Sequence, residues 1–209
     1  MSKENVISTF RMKTNELFHP INEVYADNFE DTVYYYINSM LEEDYPAIEI
    51  VDVVLVGSRS RGIENKDSDM DFAFEYVGEM HEDELFNILN SNNFKILGIN
   101  IDINPIRREE TGTLEEYLPK AEHYLQEKKQ MMTKELINRC KNIVNTHGYP
   151  IIGDGFVSFP EEYDDVFTKD ELKSLEKILL SQKGLISLKK VTKPKPKYIP
   201  EPVSTGPKL

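Results

Sequence analysis

Two short motifs decide the fold: Gly57-Ser58-Arg59-Ser60-Arg61-Gly62 and, a few residues further on, Asp69-Met70-Asp71. The mostly apolar run Ile50–Val56 leads directly into the first motif and predicts a buried central strand. Gly57 lets the backbone turn tightly and approach a phosphate without a Cβ in the way. Ser58 offers a backbone N–H and a hydroxyl, and a helix that begins there would add its N-terminus. The sequence therefore predicts a strand that ends in a phosphate-binding turn.

Carboxylates follow the turn on two predicted strands. Side chains of a strand alternate between its faces, so Asp69 and Asp71 share one face of the strand predicted over 69–77. In the next β-like run, Ile99–Ile103, Asp102 lies on the face opposite the isoleucines. If the two strands pair, the three carboxylates meet at one site.

Such a carboxylate cluster predicts a divalent cation. Like charges raise one another's pKa unless a cation compensates them. Hard oxygen ligands suit Mg²⁺, which takes one or two carboxylates together with substrate phosphates and water. Two such ions about 3.5–4 Å apart can stabilise the attacking and the leaving oxygen of an in-line displacement. We therefore expect two Mg²⁺ ions, with Mn²⁺ as the other candidate.

The whole pattern resembles the DNA polymerase β-like nucleotidyltransferase superfamily, and most closely its minimal nucleotidyltransferases. The resemblance rests on a Gly-Ser pair, ten intervening residues (59–68), the Asp-x-Asp of residues 69–71 and the later strand residue Asp102. It implies an α+β fold with a small mixed sheet packed by helices. It also implies an EC 2.7.7-type enzyme that transfers NMP from an NTP, expected to be ATP, to a hydroxyl acceptor with release of pyrophosphate.

The resemblance assigns roles to the motif residues. Asp69 and Asp71 would bind both metal ions, and Asp102 would hold the ion that activates the acceptor hydroxyl and would take its proton. Arg59 and Arg61 would reach the β- and γ-phosphates as forked donors. The predicted nucleotide-binding residues are therefore Gly57, Ser58, Arg59 and Arg61.

A second, shorter resemblance concerns the cellular setting. Thr111–Pro119, close behind Ile101–Ile106, is similar to nucleotidyltransferase-like domains of bacterial mobile elements and phages. It implies a phage, mobile-element or toxin–antitoxin context. In that context some minimal nucleotidyltransferases adenylylate a tyrosine of a partner protein.

Three kinds of function stay open from sequence, and a cyclic-nucleotide or oligonucleotide synthase ranks below them because such proteins are usually much larger. The favoured one is transfer of NMP to a protein side chain or an RNA end, because no second domain is evident. An antibiotic adenylyltransferase would need a catalytic glutamate, for which Glu109, Glu110, Glu115 and Glu116 are candidates by position. The third is a non-catalytic module that binds a nucleotide or a partner protein, through residues 113–147 or the tail.

Charge and composition narrow the partners further. The 209 residues carry a net charge of −12, whereas tight nucleic-acid binding needs many Lys and Arg contacts to phosphate, so we expect no stable binding to duplex DNA. No apolar run approaches the ~20 residues that span a membrane, and the N-terminus has no signal-like apolar segment. A single cysteine, Cys140, excludes an intramolecular disulfide. These features predict a cytoplasmic protein.

The chain divides by composition into four predicted parts: an N-terminal arm (1–26), a nucleotidyltransferase domain with a trailing helix (27–147), a C-terminal extension (148–188) and a flexible Lys/Pro-rich tail (189–209). Hydrophobic spacing predicts helices over 27–44, 81–92 and about 113–144, with a kink or restart at Pro119, and after Thr168. A hairpin is predicted over 94–103, closed by Pro105, and a loop with one short strand over 148–166.

Overall fold

The computed structural model describes residues 5–42, 44–153 and 155–181. These residues form two compact units, one that ends at Gln130 and one that begins at Met131. Within these ranges, no helix combines the length and the apolar character needed to cross a membrane. The helices and strands are, in chain order, α1 (Val6–Leu17), α2 (Ala26–Leu41), β1 (Glu49–Leu55), β2 (Met70–Val77), α3 (Glu82–Asn90), β3 (Lys95–Ile96), β4 (Ile99–Arg107), α4 (Leu114–His147), β5 (Ile151–Gly153), β6 (Phe156–Ser158) and α5 (Lys169–Leu180).

The first unit is built on a four-stranded sheet with the strand order β1-β2-β4-β3. β1 runs antiparallel to β2, β2 runs parallel to β4, and the short β3 runs antiparallel to β4. β3 and β4 are the predicted hairpin. The sheet is therefore mixed and small, and helices pack on it, which confirms the predicted α+β class.

The two faces of this sheet carry different cores. On one face, alternate side chains of β2 from Met70 to Tyr76 are at most 1% exposed and pack with apolar residues of α2 and α3. The other face carries a smaller core drawn from several elements: Phe10, Val54, Val56, Ala73, Ile106, Leu114 and Leu118. Because Asp71 shares a face with Ala73, the predicted carboxylates lie beside the smaller core.

β1 is an edge strand, so the prediction of a central strand is wrong. Side chains satisfy its open edge: Arg11 donates to the Val53 carbonyl at 2.7 Å, and Glu30 accepts from the Leu55 N–H at 2.8 Å. Arg11 also forms ion pairs with Glu30 and Asp52, both at 2.7 Å. An unpaired strand edge invites pairing with other chains, and these side chains occupy it instead.

Part of the N-terminal segment, predicted as a loose arm over residues 1–26, is helix α1. Asn5 caps it, because its Oδ1 accepts from two N–H groups of the first turn at 3.0 and 3.2 Å. Phe10 and Thr14 are the buried residues of this helix. Val6 and Ile7 pack beside Phe10, so the packed side of α1 follows helical spacing. The exposed Met12 and Leu17 add apolar residues outside that side, which is why the sequence shows no clean period.

β4 continues through Pro105 to Arg107, although the sequence predicted that Pro105 closes it. Two residues earlier, Ile103 directs its N–H and its carbonyl to the Asn90 side chain, at 3.0 and 2.9 Å, and so away from β2. Strand residues two apart point their backbone groups the same way. The N–H that Pro105 lacks therefore belongs to the side away from β2, and the ladder loses no hydrogen bond.

The predicted helices over 27–44, 81–92 and after Thr168 are confirmed as α2, α3 and α5. α4 confirms the predicted long helix and runs through Pro119 as one element, so the restart does not occur. At the start of α5, Thr168 and Glu171 form a capping box, which is why its position could be read from sequence.

The second unit has a core of its own, in which residues of α4 and α5 meet Tyr163 and Phe167. Where the sequence predicted a loop with one short strand, β5 and β6 form an antiparallel hairpin, followed by a 3₁₀ turn over Glu161–Asp165. The absence of a second domain, which favoured a protein or RNA acceptor, is thus no longer an argument. The predicted tail, 189–209, lies outside the described residues.

Candidate active site

The Gly57–Gly62 turn lies directly against Asp71. Gly57 has a φ of +66°, and a Cβ at this position would overlap the Asp71 carboxylate, so both the backbone angle and the close approach require glycine. After Ser58 the chain makes a single 3₁₀ turn, Arg59–Arg61, and leaves it at Gly62 with a φ of +59°. The sequence left room for an α-helix that begins at Ser58, but the structure has only this three-residue turn. A turn this short has no helix dipole to attract a phosphate.

Asp71 and Asp102 are partners in the parallel ladder between β2 and β4. Paired residues of neighbouring strands direct their side chains to the same face of the sheet. Asp69 lies just before β2, where its Oδ1 accepts a hydrogen bond from Asn100 Nδ2 at 3.0 Å. Asp69 is exposed, whereas Asp71 and Asp102 are half-buried. The structure thus brings Asp71 and Asp102 side by side and places Asp69 at the solvent end.

The electrostatics of these residues show the strain of clustered like charges. Burial raises the pKa of Asp71, and the charges of Asp102 and Asp69 raise it further, against the opposing effect of Lys128 and Arg59. Burial and Asp69 likewise raise the pKa of Asp102, while a hydrogen bond from Asn104 opposes them. Ionised carboxylates at this place therefore favour a nearby cation.

The donor set fits a divalent cation that brings its own further ligands. Among the described residues, no group of three or more His, Cys, Asp or Glu side chains forms a ready-made metal cage. Mg²⁺ does not need one, because it is usually held by one or two carboxylates plus substrate phosphates and water. Asp71 and Asp102, adjacent on parallel strands beneath a turn that contacts Asp71, meet that requirement.

Arg59 uses its guanidinium on the protein. Its Nη2 and Nε donate to the Ser68 carbonyl at 2.7 and 3.1 Å, and Nε also lies 3.2 Å from the Asp69 carbonyl. Arg59 is 8% exposed. The side chain therefore fixes the backbone that carries Asp69, and its role at the β- and γ-phosphates stays a prediction.

Arg61 is also held by protein groups. It is 5% exposed, and its Nε donates to Glu122 Oε2 at 2.7 Å, while Nη1 donates to Thr14 Oγ1 and the Ser60 carbonyl at 2.8 Å. Its guanidinium carbon lies 3.8 Å from the centre of the Phe10 ring, a cation–π contact. The structure therefore joins Arg61 to α1 and α4 and does not bring it to Asp71.

A pocket of about 490 Å³ opens beside Asp71. One wall is Gly57 and Ser58, and the other is the face of α4 that carries Tyr117, Lys120, Ala121, Tyr124, Leu125 and Lys128. Tyr117, Lys120, Tyr124 and Lys128 follow one another at helical spacing, so they form one stripe. The sequence does not predict this stripe, because Tyr117 and Tyr124 fit the apolar side of the helix whereas Lys128 fits its solvated side. The signal that could have found it is that spacing, directly after the carboxylate strand.

The glutamates that were candidates for a drug-modifying enzyme lie elsewhere. Glu110 pairs with His81 and Arg107, and Glu116 accepts a hydrogen bond from the Thr113 N–H at 3.1 Å at the start of α4. The residues that line the pocket do not include Glu109, Glu110, Glu115 or Glu116.

The fold and the carboxylate pair define a polymerase β-like nucleotidyltransferase. A comparison with family models agrees: the model described as "Nucleotidyltransferase domain" matches residues 36–144, which is more than half of the chain. The chain belongs to this nucleotidyltransferase family. The matched segment contains the Gly57 turn, the three aspartates and the stripe of α4. Comparisons with curated proteins and with solved structures gave no match.

Proposed function

We propose that this protein transfers NMP from an NTP to a hydroxyl acceptor, with Asp69, Asp71 and Asp102 as the metal-binding residues. The observation that carries the proposal is the in-register pair Asp71–Asp102 beside a pocket whose volume suits a nucleotide-sized ligand. The acceptor oxygen forms a bond to the α-phosphorus, the bond between that phosphorus and the bridging oxygen breaks, and pyrophosphate leaves.

The carboxylates divide the chemistry between them. Asp71 and Asp69 would hold Mg²⁺, and Asp102 would hold the metal on the acceptor side and take the proton of the hydroxyl. When bound, Mg²⁺ supplies charge stabilisation for the attacking and leaving oxygens. Asp102 suits a proton acceptor because burial and Asp69 raise its pKa, and a general base works best when its pKa lies nearer the working pH.

For the nucleotide we assign the phosphates to Gly57, Ser58, Lys120 and Lys128. Lys128 is close enough to Asp71 to oppose the rise in its pKa, and both lysines face the pocket. We assign the base to the rings of Tyr117 and Tyr124, because aromatic side chains stack on bases of any sequence. ATP remains the nucleotide we expect.

A large acceptor suits the open side of the site. Asp69 is exposed and Tyr124 is 63% exposed, so a protein side chain or an RNA end can approach from solvent. We therefore retain these two acceptors, and a partner that binds residues 113–147 or the tail stays part of this prediction. A small-molecule acceptor and a non-catalytic module are the outcomes that the experiment distinguishes.

The test is label transfer from each of the four α-³²P-labelled NTPs with Mg²⁺, with and without lysate of the native host. The variants are Asp71→Asn and, as the matched control, Asp67→Asn, whose side chain is 80% exposed in the preceding loop. The proposal predicts labelled product with wild type and Asp67→Asn alone. Label on a small molecule would indicate the antibiotic-type enzyme, and nucleotide binding without any product would indicate a binding module.

A further inference from the structure

We propose that Arg61 and Glu122 form a brace that sets the distance between the two walls of the nucleotide pocket, so that Arg61 is a positioning residue. The inference rests on the proposed function, because it concerns the same pocket. Arg61 would hold the Gly57–Ser58 turn in position both with and without nucleotide, and would not contact the β- or γ-phosphate.

The first support is where the guanidinium lies. Arg61 follows Ser58 by three residues and turns away from the pocket into the protein, between the Phe10 ring and the Thr14 hydroxyl. Its Nε donates to Glu122 Oε2 at 2.7 Å, and Nη2 lies 2.6 Å from the same oxygen as an ion-pair contact without hydrogen-bond geometry. The charge-assisted hydrogen bond from Nε and the two hydrogen bonds from Nη1 together fix the orientation of the guanidinium. A guanidinium held in this way fixes the turn that carries Gly57 and Ser58.

The second support is where Glu122 lies. It directly follows Ala121, which lines the pocket, and belongs to the same segment of α4 as Tyr117 and Lys120. Gln126 donates to Glu122 at 2.8 Å, and Lys13 lies 3.5 Å from it. Burial pushes the Glu122 pKa up, but the hydrogen bonds from Gln126 and Arg61 outweigh it and lower the pKa. Glu122 is therefore an anion that ties α4 to the turn.

The nucleotide would lie between the two walls, Gly57–Ser58 on one side and the Tyr117–Lys128 stripe on the other. The Arg61–Glu122 pair connects these walls outside the pocket lining. A change in this pair would shift Gly57 and Ser58 relative to the Tyr117–Lys128 stripe, while the strand pairing that sets Asp71 beside Asp102 would stay as it is. We therefore expect the larger effect on nucleotide affinity, which depends on both walls.

The test is the affinity for a non-hydrolysable NTP analogue with Mg²⁺, measured by titration calorimetry, together with KM and kcat for transfer. Glu122→Gln removes the anion and keeps the shape, and we expect affinity to fall about tenfold, as for one hydrogen bond to a charged group, with kcat nearly unchanged. Arg61→Lys keeps the charge but loses the fork, and should match it. Glu127→Gln is the control, since it makes the same change on the same helix at a side chain that is 63% exposed.

Three further variants keep the inference falsifiable if Glu122→Gln folds poorly. Glu122→Asp retains the charge and should recover part of the affinity, and the exchange Arg61→Glu with Glu122→Arg should bind better than Arg61→Glu alone. Near-wild-type affinity of Glu122→Gln beside a weakened Arg61→Lys would make Arg61 a phosphate ligand and overturn the inference alone. A wild-type protein that binds no nucleotide would overturn the proposed function and this inference with it.

Discussion

The two faces of strand β2 use the same backbone for opposite purposes. Met70, Phe72, Phe74 and Tyr76 point into a core with α2 and α3 and are essentially inaccessible to solvent. Asp71, on the other face, lies beside Asp102 with its pKa raised by burial and by like charges. One face lowers the free energy of the folded state, whereas the other raises it in the absence of a cation. The buried side chains on one face of β2 therefore hold Asp71 in position on the other face.

The largest effect should come from the charged face. Asp71→Asn keeps the size of the side chain but removes a carboxylate that we propose binds the metal, so we expect pyrophosphate release to fall by about 10³-fold or more, as when a preorganised electrostatic contact to the reacting groups is lost. A coupled assay of pyrophosphate measures this loss, and the melting temperature should not fall. Activity within a few-fold of wild type would show that Asp71 is not part of the reaction.

On the apolar face, Phe72→Ala should affect stability. Removing a fully buried aromatic ring leaves a cavity, and the free energy of unfolding should fall by about 3–5 kcal/mol. Urea denaturation measures it, with Val77→Ala as the control on the same strand, because Val77 is 59% exposed. A loss below about 1 kcal/mol would contradict the packing that holds the site in place.

The edge of β1 gives an intermediate effect on stability. Glu30→Ala removes one of the two ion-pair partners of Arg11 and the acceptor of the Leu55 N–H, so we expect a loss of about 2–4 kcal/mol. Lys66→Ala, which removes an exposed ion pair at 3.9 Å, serves as the comparison and should cost less than about 0.5 kcal/mol. Equal losses for the two variants would mean that the side chains on the open edge contribute nothing specific.

The smallest effect is a pH dependence that the two faces do not share. Because the folded-state pKa of Asp71 is raised, its protonated form stabilises the fold at low pH, and that contribution is lost as pH rises through the raised value. Asp71→Asn keeps a neutral side chain at every pH. In chelator at neutral pH it should therefore melt above wild type, and the difference should shrink on acidification. A variant that melts below wild type at neutral pH would reverse the sign.

What could be predicted from sequence follows the same division. Alternation along a strand placed Asp71 and Asp102 on one face, because the period of two is fixed by the backbone. Gly57 could be predicted because the turn leaves no room for a Cβ. The capping box of α5 is likewise a local signal. All of these depend on neighbours along the chain or on one strand pairing.

The remaining features depend on contacts between distant residues. The sequence predicts a phosphate ligand at Arg61, because an arginine in such a turn gives the same pattern whether it faces a ligand or Glu122, 61 residues away. The edge position of β1 depends on Arg11 and Glu30, which no apolar pattern marks. The stripe that begins at Tyr117 is not predicted, because its tyrosines fit the apolar side of the helix and Lys128 fits the solvated side until the sheet is in place.

NMP transfer at this site can be tested by following the two ends of the nucleotide in one reaction. The protein is incubated with Mg²⁺, host lysate and ATP labelled with ³²P at either the α- or the γ-phosphate, beside Asp71→Asn. We expect the α-label to enter an acceptor and the γ-label to leave as pyrophosphate. Asp71→Asn should show neither label transfer nor pyrophosphate release. Transfer of the γ-label to the acceptor, or α-label transfer that Asp71→Asn retains, would contradict it.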